Sequence, residues 1–486
     1  MSSVDHEPPR LYAAREPIFP RRVSGTFRRL KWVLMAITLG IYYITPWIRW
    51  NRGPGLPDQA VLVDLANRRF FFFWIEIWPH EFYFVAGLLI MAGLGLFLFT
   101  SALGRVWCGY ACPQTVWTDL YILVERWVEG DRNARIRLYH QPWDAKKARL
   151  RVTKWTLWLL IGLLTGGAWV FYFADAPTLL RNLVTGQAHA VAYITIAIMT
   201  ATTFFFGGFA REQICIYACP WPRIQGAMMD EDTLTVAYRE WRGEPRGKIA
   251  KGEPTKSDTP AGAKGDCIDC YACVNVCPMG IDIRDGQQLE CITCALCIDA
   301  CDDIMDKIGK PRGLIDYMAL KDERAEKIGT EGASLLRHVL RPRTILYFGL
   351  WAAIGIGLVV ALFLRSPYDL NVSPVRNPLF VTLSDGSIRN AYQLRLRNKQ
   401  GEQKSFIVGV SDSDGNPVPG LSVALEGGAE AVTVPQDATG EQRVYLIAPP
   451  GSPQAATGQT ELTMWIEDTD TSRRASVATV FHGRGR

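Results

Sequence analysis

Apolar residues along this chain follow two periodicities. In five blocks, 32–49, 82–103, 155–174, 190–209 and 344–364, they run almost unbroken, each for roughly the 20 residues an α-helix needs to cross a bilayer. From about 369 the pattern changes to short runs, several alternating apolar with polar residues. They fall around Val381, Leu394, Leu396, Val408, Val410, Val423, Val432, Val434, Val444, Leu446, Leu462, Met464, Val477 and Val480. Turn stretches such as Ser384-Asp385-Gly386 and Asp414-Gly415-Asn416-Pro417 separate them. About seven or eight short strands in this region predict an immunoglobulin-like β-sandwich. The region contains no cysteine, so the disulfide of antibody domains is absent. The whole reads as a multi-domain membrane protein, a five-span α-helical bundle ending in a β-sandwich.

Charge sets the expected orientation. Arg10, Arg15, Arg21, Arg22, Arg28, Arg29 and Lys31 precede the first block. Arg105, Arg126, Arg132, Arg135, Arg137, Lys146, Lys147, Arg149, Arg151 and Lys154 follow the second. The loop between the third and fourth is nearly uncharged, with Asp175 and Arg181. Basic loops stay on the cytosolic side, so the N-terminal tail (1–30) is expected inside, poorly ordered, and the β-domain (369–486) in the periplasm. The first block lies too far in for a cleaved signal peptide and is expected to remain as an anchor. The aromatic run Arg69-Phe70-Phe71-Phe72-Phe73-Trp74 is expected on the outer surface, against lipid or another subunit. The overall hydrophobic content of 48% hides these blocks.

All 12 cysteines fall in segments this topology places at the cytosolic face, where a reducing compartment keeps thiols free. Eight lie between 267 and 301. Cys267, Cys270, Cys273 and Cys277 precede Pro278, and Cys291, Cys294, Cys297 and Cys301 repeat the spacing. C-x-x-C-x-x-C-x-x-x-C-P is the run that binds [4Fe–4S] clusters, with the fourth cysteine of each run serving the other cluster. Three thiolates converge from one tight loop, and the fourth arrives from another direction. Cys267, Cys270, Cys273 and Cys301 are therefore assigned to one cluster, and Cys291, Cys294, Cys297 and Cys277 to the other. Zinc commonly uses C-x-x-C pairs, and the doubled three-plus-one run is not its pattern. Asp302 stands where the first run has its proline. The ferredoxin-like module spans 267–310, behind a Gly/Pro-rich linker (242–266) read as a flexible tether. A charged cytosolic connector (311–343) leads to the fifth span.

The remaining four cysteines form a repeat. Cys108-Gly109-Tyr110-Ala111-Cys112-Pro113 and Cys215-Ile216-Tyr217-Ala218-Cys219-Pro220 share C-x-Y-A-C-P, each expected just past the end of a span. The membrane domain (31–241) therefore reads as an internal duplication. Cysteines four apart on a helix share a face, with Pro ending or kinking the helix beyond them. Two such pairs would present four thiols, as packing residues, as a redox pair, or as ligands for Cu(I), zinc or a further iron–sulfur centre.

Haem is not expected. Only six histidines occur, His6, His80, His140, His189, His338 and His482, none deep in a span, and there is no C-x-x-C-H attachment site. His80 and His189 precede the second and fourth spans at matching ends of the repeat. Gly93 and Gly95 lie inside a span and read as helix packing, not as a dinucleotide site.

These parts in this order, two C-x-x-x-C-P motifs within five spans, a double ferredoxin run and a C-terminal β-sandwich, resemble the CcoG family of cytochrome c oxidase accessory proteins, also called FixG or RdxA. The resemblance covers essentially the whole chain. It implies a bacterial inner-membrane iron–sulfur protein, two [4Fe–4S] clusters as cofactors and a cupric reductase activity, with copper as substrate, that supports assembly of cbb-type cytochrome oxidase. Cys108, Cys112, Cys215 and Cys219 would then be the catalytic thiols nearest the copper chemistry, holding copper or a further centre. Expected partners are membrane lipid, copper ions, oxidase assembly factors or copper chaperones, and an electron donor of unknown identity. No nucleic acid is expected, and a homo-oligomer stays open. The chain is also similar to NapH-like polyferredoxins that take electrons from quinol, although the fifth span and the β-sandwich are extra to that plan. A non-catalytic assembly scaffold is the third reading.

Overall fold

The computed structural model describes every residue except 1–16, 54–55, 79–80, 249–263, 331, 401, 437 and 486. The chain divides into two compact units, Met1–Ile48 with Gln59–Leu358, and Arg49–Asp58 with Val359–Arg486.

Among the described residues, four helices are long and apolar enough to cross a membrane: Phe82–Leu103, Ala145–Tyr172, Ala190–Ala218 and Pro342–Phe363. The first apolar block, 32–49, differs from expectation. It forms the helix Thr26–Ile44, which carries Arg28, Arg29 and Lys31 in its first turns and runs into a short 3-10 turn containing Pro46. Its apolar part, 32–44, is about 20 Å long at ~1.5 Å per residue, short of the roughly 30 Å of a hydrocarbon core.

Several of the basic residues that mark orientation, Arg28, Lys31, Arg135, Arg151 and Lys154, are tied down by acidic ones. The amphipathic helix Pro113–Glu129 buries Asp119, Glu125 and Glu129 along one face. Arg28 and Lys31 meet Asp119 at 3.0 Å. Arg135, Lys154 and Arg211 surround Glu125 at 2.8, 3.4 and 2.6 Å, and Lys154 and Arg151 reach Glu129 at 2.9 and 3.1 Å. Charges this deeply buried persist only when paired, so the network fixes how these helices meet. A hydrophobic helix neighbour alone would leave the rotation about each axis loose.

Three segments expected to be separate or loose are built into this unit. Residues 17–30 pack down: Arg21 N donates to Asn275 O (2.7 Å), and Arg126 and Arg135 donate to the carbonyl of Pro20. The linker is pinned at its described ends, with Gly247 N on Cys267 O (3.0 Å) and Gly265 N on Pro245 O (2.9 Å). Its middle lies outside the described residues. The connector supplies strand Ile315–Met318, which pairs antiparallel with Thr235–Tyr238 from the far side of the cysteine module. Backbone hydrogen bonds across that pair hold the module between its own flanks. Residues 61–77, including most of the aromatic run, fold into a three-stranded antiparallel sheet in which Phe71 is buried while Phe72 and Trp74 are exposed.

The second unit is a two-sheet sandwich. One sheet orders Ser422–Leu425, Thr439–Ala448, Ile388–Asn398 and Tyr368–Pro374, with Val381–Thr382 pairing Ile388–Asn398. The other orders Val432–Val434, Lys404–Ser411, Gln459–Asp468 and Arg474–His482. Alternation buries Leu394, Leu396, Val444, Leu446, Met464 and Ile466 between the sheets. In the last strand the buried positions are Thr479 and Phe481, so Val480 stands on the opposite face.

Candidate iron–sulfur and paired-thiol site

Each ferredoxin run turns around its middle cysteine by the same backbone device. Asp269 and Tyr271 flank Cys270 with φ of 54° and 55°, and Thr293 and Ala295 flank Cys294 with φ of 55° and 59°. Non-glycine residues rarely adopt this left-handed conformation. Four occurrences at matching positions show a fixed loop geometry, of the kind that forms concavities suited to anions and iron–sulfur centres. A helix follows each loop, Ala272–Val276 and Leu296–Ile308.

Two cavities result. Cys267, Cys270, Cys273 and Cys301 line one, together with Tyr238, Tyr271 and Arg284. Cys277, Cys291, Cys294 and Cys297 line the other, with Cys273 at the wall between them. The fourth cysteine of each run thus stands in the cavity of the other run. Arg284 braces the first cavity, bonded to Asp269 (2.7 Å) and Asp282 (2.6 Å) with its guanidinium over the Tyr271 ring. Cys270 is exposed there, whereas Cys294 and Cys301 are buried.

The donor set fits iron–sulfur clusters. Burial pushes the thiols of Cys273 and Cys291 up to about 11 and that of Cys277 to about 12; Cys294 and Cys291 add to the rise at Cys277. Buried thiols that repel one another's charge need a strongly positive centre to hold them as thiolates. Among the described residues, no three His, Cys, Asp or Glu side chains gather as they would around one metal ion. Here the sulfurs stand around a space instead.

The four remaining thiols lie beside the second cavity. Helix Phe82–Leu103 ends at Gly104, whose φ of +61° and 2.8 Å approach of an ideal Cβ to Leu234 O leave room only for glycine. The short helix Val106–Tyr110 then carries Cys108. Pro113 does not end a helix as expected; it opens Pro113–Glu129, where its missing N–H is harmless. In the second motif, Cys215 lies within the helix end, in a π turn Ile214–Ala218, not past it. The two motifs nonetheless close the same wide turn: Cys112 N donates to Trp107 O (2.9 Å) and Cys219 N to Ile214 O (2.7 Å). At this turn the two motifs are alike. Such π turns recur at functional sites.

Cys215 is within electrostatic reach of Cys112, Cys108 and Cys219, so the repeat sets the four thiols in one region, with no three of them as close as the ligands of one metal ion. Cys108 and Cys215 also pack in the apolar cluster that contains Cys277, Cys294 and Cys297. Cys108 Sγ donates to Oε1 of the fully buried Gln225 (3.1 Å), whose Nε2 donates to Thr100 Oγ1 (3.3 Å). Burial pushes the Cys108 thiol up, and Arg105 pulls against it. Arg105 lies buried between the motif and the cluster loop, donating to Cys291 O (2.9 Å) and Leu289 O.

The sequence pattern marks Arg105 only as an orientation charge and gives Gln225, Gly109 and Asp299 no role. An arginine three residues before a motif cysteine was the available signal for the first. His189 is the exposed residue preceding Ala190–Ala218, and His80 lies outside the described residues.

Fold and cavities define a dicluster iron–sulfur protein carrying helices long enough to cross a membrane. Residues 210–320 match the model of a 4Fe-4S dicluster domain, 84–130 that of a 4Fe-4S binding domain, and 358–484 that of the Ig-like fold at the C-terminus of FixG. Over its full length the chain is 70% identical to protein RdxB of Cereibacter sphaeroides, covering 100% of both chains. It is 64% identical to RdxA of the same organism over 97% of this chain and 98% of RdxA. It is 53% identical to the nitrogen fixation protein FixG of Rhizobium meliloti, over 91% of this chain and 88% of FixG. The chain belongs to the FixG/RdxA family.

Proposed function

We propose that this protein is a cupric reductase of the bacterial inner membrane that turns Cu(II) into Cu(I) for the assembly of a cbb-type cytochrome oxidase. The supporting observation is the packing of Cys108 and Cys215 against the same apolar cluster as Cys277, Cys294 and Cys297. It sets a soft-sulfur site beside a redox cavity. Clusters held by the eight ferredoxin cysteines would supply single electrons at low potential.

The chain's own part is to receive copper at Cys108, Cys112, Cys215 and Cys219. Cu(II) favours nitrogen and oxygen donors while Cu(I) favours sulfur, so a thiol site stabilises the reduced product as each ion takes up one electron. Burial keeps Cys108 protonated until a cation displaces the proton. In this reading, Thr26–Ile44 is a fifth membrane segment, the cysteines face the cytosol and the β-sandwich faces the periplasm.

The test is anaerobic Cu(II) reduction by dithionite-reduced protein, following cluster oxidation and Cu(I) formation together in the wild type and a Cys108→Ser, Cys215→Ser double variant. Stoichiometric oxidation in the wild type, lost in the variant with its iron retained, is the expected result. If copper leaves the wild-type clusters reduced while a quinone oxidises them, the substrate is quinone-linked and the copper reading falls.

A further inference from the structure

The two C-x-Y-A-C-P motifs close the same turn, but they meet the cluster loop differently. The first is clamped to it by backbone. Arg105 N donates to Thr293 Oγ1 (3.2 Å), the Arg105 guanidinium to the carbonyls of Leu289 and Cys291, and Tyr110 Oη to Cys294 O (3.2 Å). Tyr317 Oη holds the same loop from its other side, at Thr293 O (2.8 Å).

Between Arg105 and Tyr110 lies Gly109. An ideal Cβ there would stand 2.7 Å from Ile292 O, 3.0 Å from Cys294 Cα and 3.1 Å from Cys294 N. All three are backbone atoms of the loop bearing Cys291 and Cys294, so no side-chain rotation could make room. At the matching position the second motif has Ile216, which packs by its side chain. The two halves of the repeat are thus unequal where they face the clusters.

The two cavities are unequal as well. The one lined by Cys267, Cys270, Cys273 and Cys301 reaches the surface, where Cys270 and Tyr271 are exposed. The one lined by Cys277, Cys291, Cys294 and Cys297 abuts the paired thiols.

We propose that residues 105–110 are a rigid electron-transfer junction, with Gly109 as its positioning residue, so that only the cavity of Cys277, Cys291, Cys294 and Cys297 passes electrons to copper held at the paired thiols. The other cavity accepts electrons from an external donor. This rests on the redox reading above. In the terminal step one reduced iron–sulfur centre is oxidised by one electron and one Cu(II) becomes Cu(I).

The test uses the full-length, cluster-loaded protein and Gly109→Ala. Three quantities are compared: iron content, the rate at which Cu(II) or ferricyanide oxidises the reduced clusters, and the rate of Cys108 alkylation without copper. Added methyl bulk pushes the motif off the loop. The expected result is unchanged iron, faster alkylation, and Cu(II) oxidation slowed on the order of ten- to a hundredfold, as misplacements near 1 Å produce. Ferricyanide, which reaches the exposed cavity, should react at the wild-type rate. Full iron with an unchanged copper rate overturns the proposal, and so does equal slowing by both oxidants. Should Gly109→Ala lose iron, Tyr110→Phe decides by the same readouts, because it removes only the hydroxyl, which donates to Cys294 O and meets the Tyr317 hydroxyl that holds the same loop. If the wild type itself does not reduce Cu(II), the copper reading fails, while unchanged alkylation in Gly109→Ala would still refute the junction.

Discussion

Asp299 caps a helix that begins 273 residues before it, at Thr26: its Oδ2 accepts from Arg28 N at 2.7 Å and its Oδ1 from Phe27 N at 3.2 Å. No residue at the start of Thr26–Ile44 caps it, and Gly25 leaves room for the distant carboxylate, which an ideal Cβ there would meet at 2.2 Å. Asp299 lies on Leu296–Ile308 between Cys297 and Cys301, so a helix of the cluster module completes the first helix of the membrane domain.

Asp299→Ala should therefore lower the stability of the first unit by about 1–2 kcal/mol, the usual range for a lost cap. Thermal unfolding in detergent measures it. Asp299→Asn keeps an acceptor and should recover part of the loss. An unchanged melting temperature in Asp299→Ala would mean the cap carries no weight.

Glu125 should govern acid stability. Burial alone would raise its pKa, but Arg211, Lys154 and Arg135 outweigh burial and hold it at about 2. Its folded pKa lies below the unfolded value of ~4.3. Its stabilisation is therefore present above that value and is lost as pH falls from about 4.5 toward 2. Removing one member of a buried ion pair costs about 3–5 kcal/mol, so Glu125→Gln should be destabilised by that order at pH 7. Unfolding measured from pH 7 to 2 should show a flatter acid limb in the variant than in the wild type.

The crossed cavity linings predict how cysteine variants sort. Cys301→Ala should perturb the same electron paramagnetic resonance signal as Cys267→Ala, and Cys277→Ala the same signal as Cys291→Ala. If Cys301→Ala instead groups with Cys297→Ala, each run binds its own cluster and the crossing is wrong.

In the second unit, Tyr368 Oη donates to Asp468 Oδ2 at 2.5 Å, and both residues are buried. Tyr368→Phe leaves that carboxylate oxygen only the Thr471 hydroxyl. The 366–486 fragment is the natural material for the measurement, since these strands form their own compact core. Denaturant unfolding should show a loss of about 1–3 kcal/mol, as for an under-satisfied buried polar group. A midpoint equal to wild type would show the bond to be dispensable.

Much of this architecture was legible from periodicity and spacing. The cysteine spacing identified two four-cysteine sets, and the structure draws each set around one cavity. Alternation from 369 onward anticipated the sandwich, because a strand with one buried face must repeat every second residue. Long-range pairing was not legible. Nothing local marks Asp119 as the partner of Arg28 and Lys31, or Asp299 as a cap, since both relations depend on tertiary packing. Arg28, Arg29 and Lys31 were read as flanking a span, yet they occupy the first turns of a helix and shorten its apolar part. Gly109 looked like an ordinary variable position of the motif. Its need to be glycine comes from a backbone 183 residues away in sequence, at Ile292.

Helix Leu296–Ile308 carries Cys297 and Cys301 one turn apart, aimed at different cavities. Neither cysteine run is consequently a self-sufficient module. Each holds three quarters of its own site and the missing quarter of its neighbour's. A lineage could not discard one run and keep a working remnant, as it could with two independent beads on a string. Loss of either run would take lining cysteines from both cavities, so the pair works as one object, like a clasp whose halves are useless apart.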